Sequence, residues 1–281
     1  MAKRLLVLIF GGLILLQGCT QKDQVVVTMP SSDETSQVQE VKYPFSAEET
    51  ETRYWGDIDA LLLKVQGNKD FKFPQGQEIV FPWADETLRY DQVGAENPKN
   101  LIQSFVFEDR SYNLFYINSN LTSDNNIISE KYKIVDDQGV TLLEEEMWFG
   151  SEGPIEEIRL INDEVALTYW PGSYTNASSN IFYKGEKMNE VYGFSGSHYL
   201  FSYKDKLGFV AQKDGKEYIF FNGKIVSEGY DSIPTSSCCM SLPVVFKLYD
   251  NGALVFRATN KDDSGMYHEY WVVEVDLNPY L

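Results

Sequence analysis

The chain is poor in histidine, cysteine and positive charge. Its 281 residues include only two His and three Cys, and its 24 Lys and Arg face 42 Asp and Glu, for a formal net charge of −18. With His198 and His268 as the only histidines, no Cys/His zinc spacing can be written. The shortage of positive charge argues against nucleic acid and against electrostatic docking on anionic lipid. No Gly-rich phosphate loop precedes a helix, so no nucleotide cofactor is expected. No G-x-S-x-G elbow occurs. The nearest stretch, Gly193-Phe194-Ser195-Gly196-Ser197, misses the spacing by one residue and reads as a Ser/Gly loop. A long apolar run is missing too. Leu5 to Leu16 falls short of the roughly 20 residues that span a bilayer.

What is present begins at the amino terminus. Met1-Ala2-Lys3-Arg4 is a basic head, Leu5 to Leu16 an apolar core, and Gly18 a small residue directly before Cys19. This order fits a secretory signal that is removed, which sets residues 1–18 apart as a signal peptide. Leu16-Gln17-Gly18-Cys19 resembles the lipobox of bacterial lipoproteins. That resemblance implies a diacylglycerol on the Cys19 thiol, cleavage just before it, and acylation (palmitate or a similar chain) of the new amino terminus. Each buried acyl methylene stabilises attachment by about 0.8 kcal/mol, so more than one chain makes the anchor durable. Thr20 follows where Asp would resemble an inner-membrane retention signal. The implied location is the cell envelope, outside the cytoplasm, on the outer membrane in a Gram-negative host.

Residues 19–42 read as a lipidated tether. Thr28 to Glu40 is polar and acidic, lacks a sustained apolar period, and cannot bury enough surface to offset its ordering entropy. Val25-Val26-Val27 is an apolar exception that could dock as a stray strand. Residues 43–281 read as one β-repeat domain. Aromatics reach 14% of the chain, with 18 Tyr and 17 Phe, a composition that favours sheet over helix. Asp57 to Val65 is ambiguous between a short helix and a strand.

The clearest passage is Leu207 to Ile233. Leu207 to Gln212 predicts a strand, Lys213-Asp214-Gly215-Lys216 a turn, and Glu217 to Phe221 a second strand. Asn222-Gly223 then predicts a type I′ hairpin, because both residues tolerate positive φ. Similar outlines lead with strands at Leu114, Val165, Leu207 and Leu254, and Lys184-Gly185 stands where Asn222-Gly223 does. Steps of roughly 40 to 50 residues between such units are the spacing of β-propeller blades. The repeats resemble extracytoplasmic bacterial propellers of the Tol-associated and WD type, although no Trp-Asp pair closes a unit. The resemblance implies an all-β propeller, and the length of residues 43–281, at about 47 residues a unit, gives about five blades. The alternative is a β-sandwich of two stacked antiparallel sheets.

Candidate chemistry is sparse. Glu144-Glu145-Glu146 and Glu156-Glu157 flank Trp148, and paired carboxylates with an aromatic are what a glycosidase needs. Trp148 and Trp170 are equally candidate binding anchors. His198 invites a pairing with Ser195. Asp136-Asp137-Gln138-Gly139 and Asn260 to Gly265 offer oxygen ligands, but turn formation explains both without calcium. Adjacent Cys238 and Cys239 leave two thiols, a vicinal disulfide or a soft-metal contact open. Asn120-Leu121-Thr122 and Asn176-Ala177-Ser178 match the glycosylation pattern without consequence in a bacterial lipoprotein. The expected function is that of a lipid-anchored envelope binding or scaffold protein, with no cofactor and no metal. Its partners would be the membrane through Cys19 and an envelope protein or glycan, not nucleic acid. The alternative is an envelope hydrolase working through paired carboxylates.

Overall fold

The computed structural model describes residues 40–45, 72, 74–79, 85–89, 100–107, 110–121, 127–147, 154–172, 178–235, 246–261 and 267–281. Cys19, Val25-Val26-Val27, Asp57 to Val65, Trp148, Asn176, Cys238, Cys239 and Asp262-Asp263 lie outside the described residues.

The fold is all-β, and the described residues form four antiparallel sheets. Sheet I holds β2 (Asp85–Arg89), β3 (Leu101–Phe107), β4 (Arg110–Leu121), β5 (Ile127–Asp136) and β6 (Thr141–Met147). Sheet II holds β7 (Ile155–Ile161), β8 (Glu164–Tyr169), β9 (Asn180–Tyr183) and β10 (Glu186–Lys187). Sheet III holds β11 (Gly196–Tyr203), β12 (Lys206–Lys213), β13 (Lys216–Phe221) and β14 (Lys224–Ile225). Sheet IV holds β15 (Phe246–Leu248), β16 (Ala253–Lys261), β17 (Tyr267–Asp276) and, paired to β17, β1 (Glu40–Phe45). A short helix α1 (Met188–Tyr192) links sheets II and III, ending on Gly193 in the left-handed region.

The turns explain the meanders. β7–β8, β9–β10, β11–β12, β12–β13 and β13–β14 are each joined by two residues that both have positive φ. Those residues are Asn162-Asp163, Lys184-Gly185, Lys204-Asp205, Asp214-Gly215 and Asn222-Gly223. At the last, Asn222 has φ 46° and Gly223 φ 83°. Positive φ at both positions matches the right-handed twist of the flanking strands, so each turn fixes its register.

Leu114, Val165, Leu207 and Leu254 each fall on a different sheet, in β4, β8, β12 and β16. β8 and β12 are the second strands of their sheets, not the first, and β16 is preceded in sheet IV by both β1 and β15. β4 is the third of five in sheet I. The sequence outline missed the shorter or more polar strand that precedes each one.

Three cores hold the sheets in series. Leu114, Tyr132, Ile134 and Met147 of sheet I pack with Ile158, Leu167 and Tyr169 of sheet II. Ala166, Ile181 and Tyr183 of sheet II pack with Leu200, Phe209, Ala211 and Phe220 of sheet III. Phe201, Val210, Ile219 and Phe221 of sheet III pack with Leu254, Phe256, Val273 and Val275 of sheet IV. Sheets II and III are therefore buried on both faces, and alternate residues of β12 serve different cores. That is why Leu207-Gly208-Phe209-Val210-Ala211 is a continuous apolar run and not an alternating one. Full burial of side chains such as Phe209 and Val210 stabilises by about 1.5–3 kcal/mol each.

The described residues form four sheets, and sheet I takes an extra strand. Residues 40–42, read from sequence as the end of the tether, are paired strand in β1. The polar side chains of Glu40 and Lys42 hid this, because here polarity serves a clamp. Tyr230 Oη donates to Glu40 Oε1 at 2.7 Å, the Glu228 N–H to Glu40 Oε2 at 3.0 Å, and Lys42 pairs with both Glu40 and Glu228.

Candidate functional site

Strands β7, β11 and β15 each form an edge of their sheet. Polar and aromatic side chains from these edges gather around Tyr199. The cause is a bulge in β11, where the pairing with β12 slips between His198 and Leu200. Tyr199 sits in that slip at φ 57°. A left-handed conformation costs a non-glycine residue roughly 1–2 kcal/mol, and bulges of this kind re-aim a side chain. The Tyr199 ring lies against Phe246 of β15, with centroids 4.4 Å apart and planes at 53°. Phe246 also meets Phe201 at 5.6 Å.

On the other side stands a buried ion pair. Glu157 and Arg159 are each 6% exposed and lie two apart on β7, hence on one face. Arg159 Nε donates to Glu157 Oε1 at 2.7 Å, and a second guanidinium nitrogen meets the same oxygen. Glu157 Oε2 accepts the Leu200 N–H at 2.7 Å. An edge-strand amide that would otherwise lack a partner is thereby satisfied, and sheet II is tied to sheet III. Burial pushes the Glu157 carboxyl up, while the Arg159 charge and the Leu200 N–H pull it down.

Glu78 and Lys247 complete the group. Lys247 Nζ of β15 donates to Glu78 Oε2 at 3.1 Å, and Glu78 bridges to Tyr249 through its backbone. Burial raises the Tyr199 phenol, the carboxylates of Glu157 and Glu78 raise it further, and the Arg159 charge opposes them. The junction thus sets an aromatic pair beside two compensated ion pairs. Such a surface suits recognition by stacking and hydrogen bonding. It does not suit proton transfer through Glu157, whose two oxygens are both engaged.

The other sequence candidates fall elsewhere. Glu145 accepts from Tyr169 Oη at 2.8 Å and from Lys187 Nζ at 2.6 Å, stitching sheet I to sheet II. Glu144 pairs with Lys131 at 2.6 Å on the surface, and Glu146 and Glu156 are exposed. Trp170 is half-buried, and its backbone N–H donates to Pro154 O at 3.2 Å. Ser195 Oγ donates to Gln212 O at 3.1 Å, whereas His198 bonds the Ile233 backbone and is pushed down to about 4 by burial. Each is engaged with a different backbone group, so the geometry does not pair Ser195 with His198. Asp136 Oδ1 accepts the N–H groups of Gln138 and Val140, as an Asx turn does without an ion. Asn260 Oδ1 accepts the Asp231 N–H at 3.3 Å. Among the described residues, no group of three or more His, Cys, Asp or Glu could hold a metal. No helix among them is long and apolar enough to cross a membrane.

Sequence reading missed Tyr199, Arg159 and the pairing role of Glu157. One signal was available. Glu157 and Arg159 interrupt the apolar positions Ile155, Ile158 and Ile161, and opposite charges two apart in a strand share a face. Nothing local announces the bulge. No family model, curated protein or solved structure matches this chain.

Proposed function

We propose that this chain is a lipid-anchored binding or scaffold protein of the cell envelope, held at the membrane through Cys19. On this reading the four serial sheets are propeller blades, with β1 completing the last, and the Tyr199 junction lies where the edge strands β7, β11 and β15 converge. Serial stacking through three cores and the edge position of β7, β11 and β15 support that arrangement.

The observation that carries the binding reading is the state of the carboxylates beside an unusual aromatic. Glu145 and Glu157 are both engaged in ties between sheets, while Tyr199 is held at positive φ against Phe246. A strained residue in a half-buried junction points to a position kept for contact. The partner is an envelope protein or glycan.

The test uses the full lipidated protein recovered from envelopes under mild crosslinking, compared with Tyr199→Ala and Cys19→Ser. Tyr199→Ala should lose its crosslinked partner while staying membrane-bound. Cys19→Ser should accumulate as precursor and no longer take radiolabelled fatty acid. Crosslinking unchanged in Tyr199→Ala removes the junction from the reading. Hydrolysis of glycosides, esters or peptides, abolished by one carboxylate substitution with folding intact, replaces it with the hydrolase.

A further inference from the structure

We propose that Asn222 is a latent deamidation site, held back by the carboxyl-terminal tail, and that its conversion releases that tail. Asn222 precedes Gly223, whose backbone nitrogen is not shielded by a Cβ, and Gly223 is exposed. The reaction needs only water. The Gly223 nitrogen attacks Asn222 Cγ and a C–N bond forms. The Cγ–Nδ2 bond breaks, and ammonia leaves with the proton lost by Gly223. Water then opens the cyclic imide at either carbonyl, giving an aspartyl or isoaspartyl residue. Nothing is oxidised or reduced.

The attack requires the carboxamide carbon to swing toward Gly223 N. In the folded chain Asn222 Nδ2 donates to Tyr280 O at 2.7 Å, and the Asn222 N–H donates to Leu207 O at 2.9 Å. The clamp holds because the tail is docked. Leu277 is fully buried and Tyr280 is 7% exposed, both in the core between sheets III and IV. Between them, Asn278 Oδ1 accepts from Tyr203 Oη at 3.0 Å and from Lys204 Nζ at 3.2 Å. Asn278 Nδ2 donates to Asn251 O at 2.7 Å. Conversion reverses the clamp. A carboxylate in place of the amide sets acceptor against acceptor at the Tyr280 carbonyl. The isoaspartyl product also adds a backbone methylene to a turn whose two-residue length fixes the strand register.

The chain carries its own control. Asn251-Gly252 is a second Asn-Gly pair, and both its carboxamide and its nucleophilic N–H are engaged. Asn251 Nδ2 donates to Gln75 O at 2.7 Å and Oδ1 accepts the Ala253 N–H at 3.1 Å. Gly252 is buried, and its N–H, the would-be nucleophile, donates to Tyr249 O at 2.9 Å. Asn222 should therefore convert first in the folded protein.

The experiment incubates the full chain in mildly alkaline buffer and follows both sites by mass spectrometry of proteolytic peptides, with a parallel sample in denaturant. Asn222 should convert ahead of Asn251 when folded, and the two should converge when unfolded. Removing Tyr280 and Leu281, which deletes the accepting carbonyl, should speed Asn222 by about fivefold, the factor one net hydrogen bond is worth, and leave Asn251 unchanged. Asn222→Asp in the full chain should let a carboxypeptidase remove Leu281 about fivefold faster than from the unmodified chain, again the factor of one such bond. A folded shortened chain with an unchanged Asn222 rate overturns the clamp, as does Asn251 converting first. Equal trimming in Asn222→Asp overturns tail release. Should the shortened chain not fold, the order of the two sites and the trimming rates still decide.

Discussion

Sheets III and IV share one core and differ in how they are assembled. In sheet III every strand follows its neighbour through a two-residue turn, so the whole ladder lies between Gly196 and Ile225. Sheet IV is completed by β1 from the other end of the chain, in register from Glu40↔Val275 to Phe45↔Tyr270. Local ladders lose little loop-closure entropy as they form, whereas a strand recruited from far along the chain loses more. Sheet IV therefore adds a side-chain clamp at Glu40 and Lys42, which turn chemistry makes unnecessary in sheet III. Two sheets with the same final geometry can rest on different physics, one on turns and the other on tertiary contacts.

Acid should break the comparison most strongly, because it acts on sheet III. His198 of β11 is pushed down to about 4 from an ordinary 6.5 by burial, with its bond to the Ile233 backbone opposing. The unfolded chain takes up the proton first as pH falls. The stability that depends on neutral His198 is complete above about pH 6.5 and is lost as pH drops toward 4, at most about 3 kcal/mol. Urea midpoints measured across that window should fall, and His198→Gln should flatten the fall. An unchanged slope in the variant would assign the acid loss to other groups.

Next in size is Gly208→Ala. A Cβ there would stand 2.2 Å from two ring carbons of Phe201, which is already stacked near Phe221 and against Phe246. The ring has little room to retreat, so the substitution should cost about 2–3 kcal/mol in a thermal or urea melt. Adding Phe201→Leu should recover part of that loss, since neighbouring substitutions couple.

Glu40→Gln should cost less, about 1–2 kcal/mol, because it turns a donor toward the Glu228 N–H or gives up one acceptor. Its signature is local. Hydrogen exchange should accelerate in β1 and β17 more than in β12 and β13. Equal acceleration in both pairs would mean that β1 does not open by itself. The smallest effect should be Gly223→Val, about 1 kcal/mol, from forcing a β-branched residue to φ near 83°. A melt unchanged within error would show that the turn does not set the register of β14.

The same contrast explains what could be read beforehand. The meander from Leu207 onward was legible because turn residues and strand propensity are local properties, and Asn222-Gly223 states its conformation in two letters. The strands preceding Leu114, Val165, Leu207 and Leu254 were not legible as unit starts. β7 carries charges in its interior, and β15 has only three residues. Glu145 and Glu157 looked alike in sequence, as members of acidic runs beside a Trp. Their partners, Tyr169 with Lys187 and Arg159 with the Leu200 N–H, separate them into two different ties between sheets.

By itself the sequence determined the all-β class, the hairpin turns at Lys184-Gly185, Asp214-Gly215 and Asn222-Gly223, and the spacing of the central strands, because backbone preference at Asn, Asp and Gly acts within a few residues. It also supplied the leader and Cys19, on which the proposed anchoring rests. Only the tertiary structure decided that β1 belongs to sheet IV, that the sheets stack in series, and that Tyr199 meets Phe246, Glu157 and Arg159. Those outcomes depend on which surfaces are buried together. Burial is a property of the assembled chain, and no short stretch of residues encodes it.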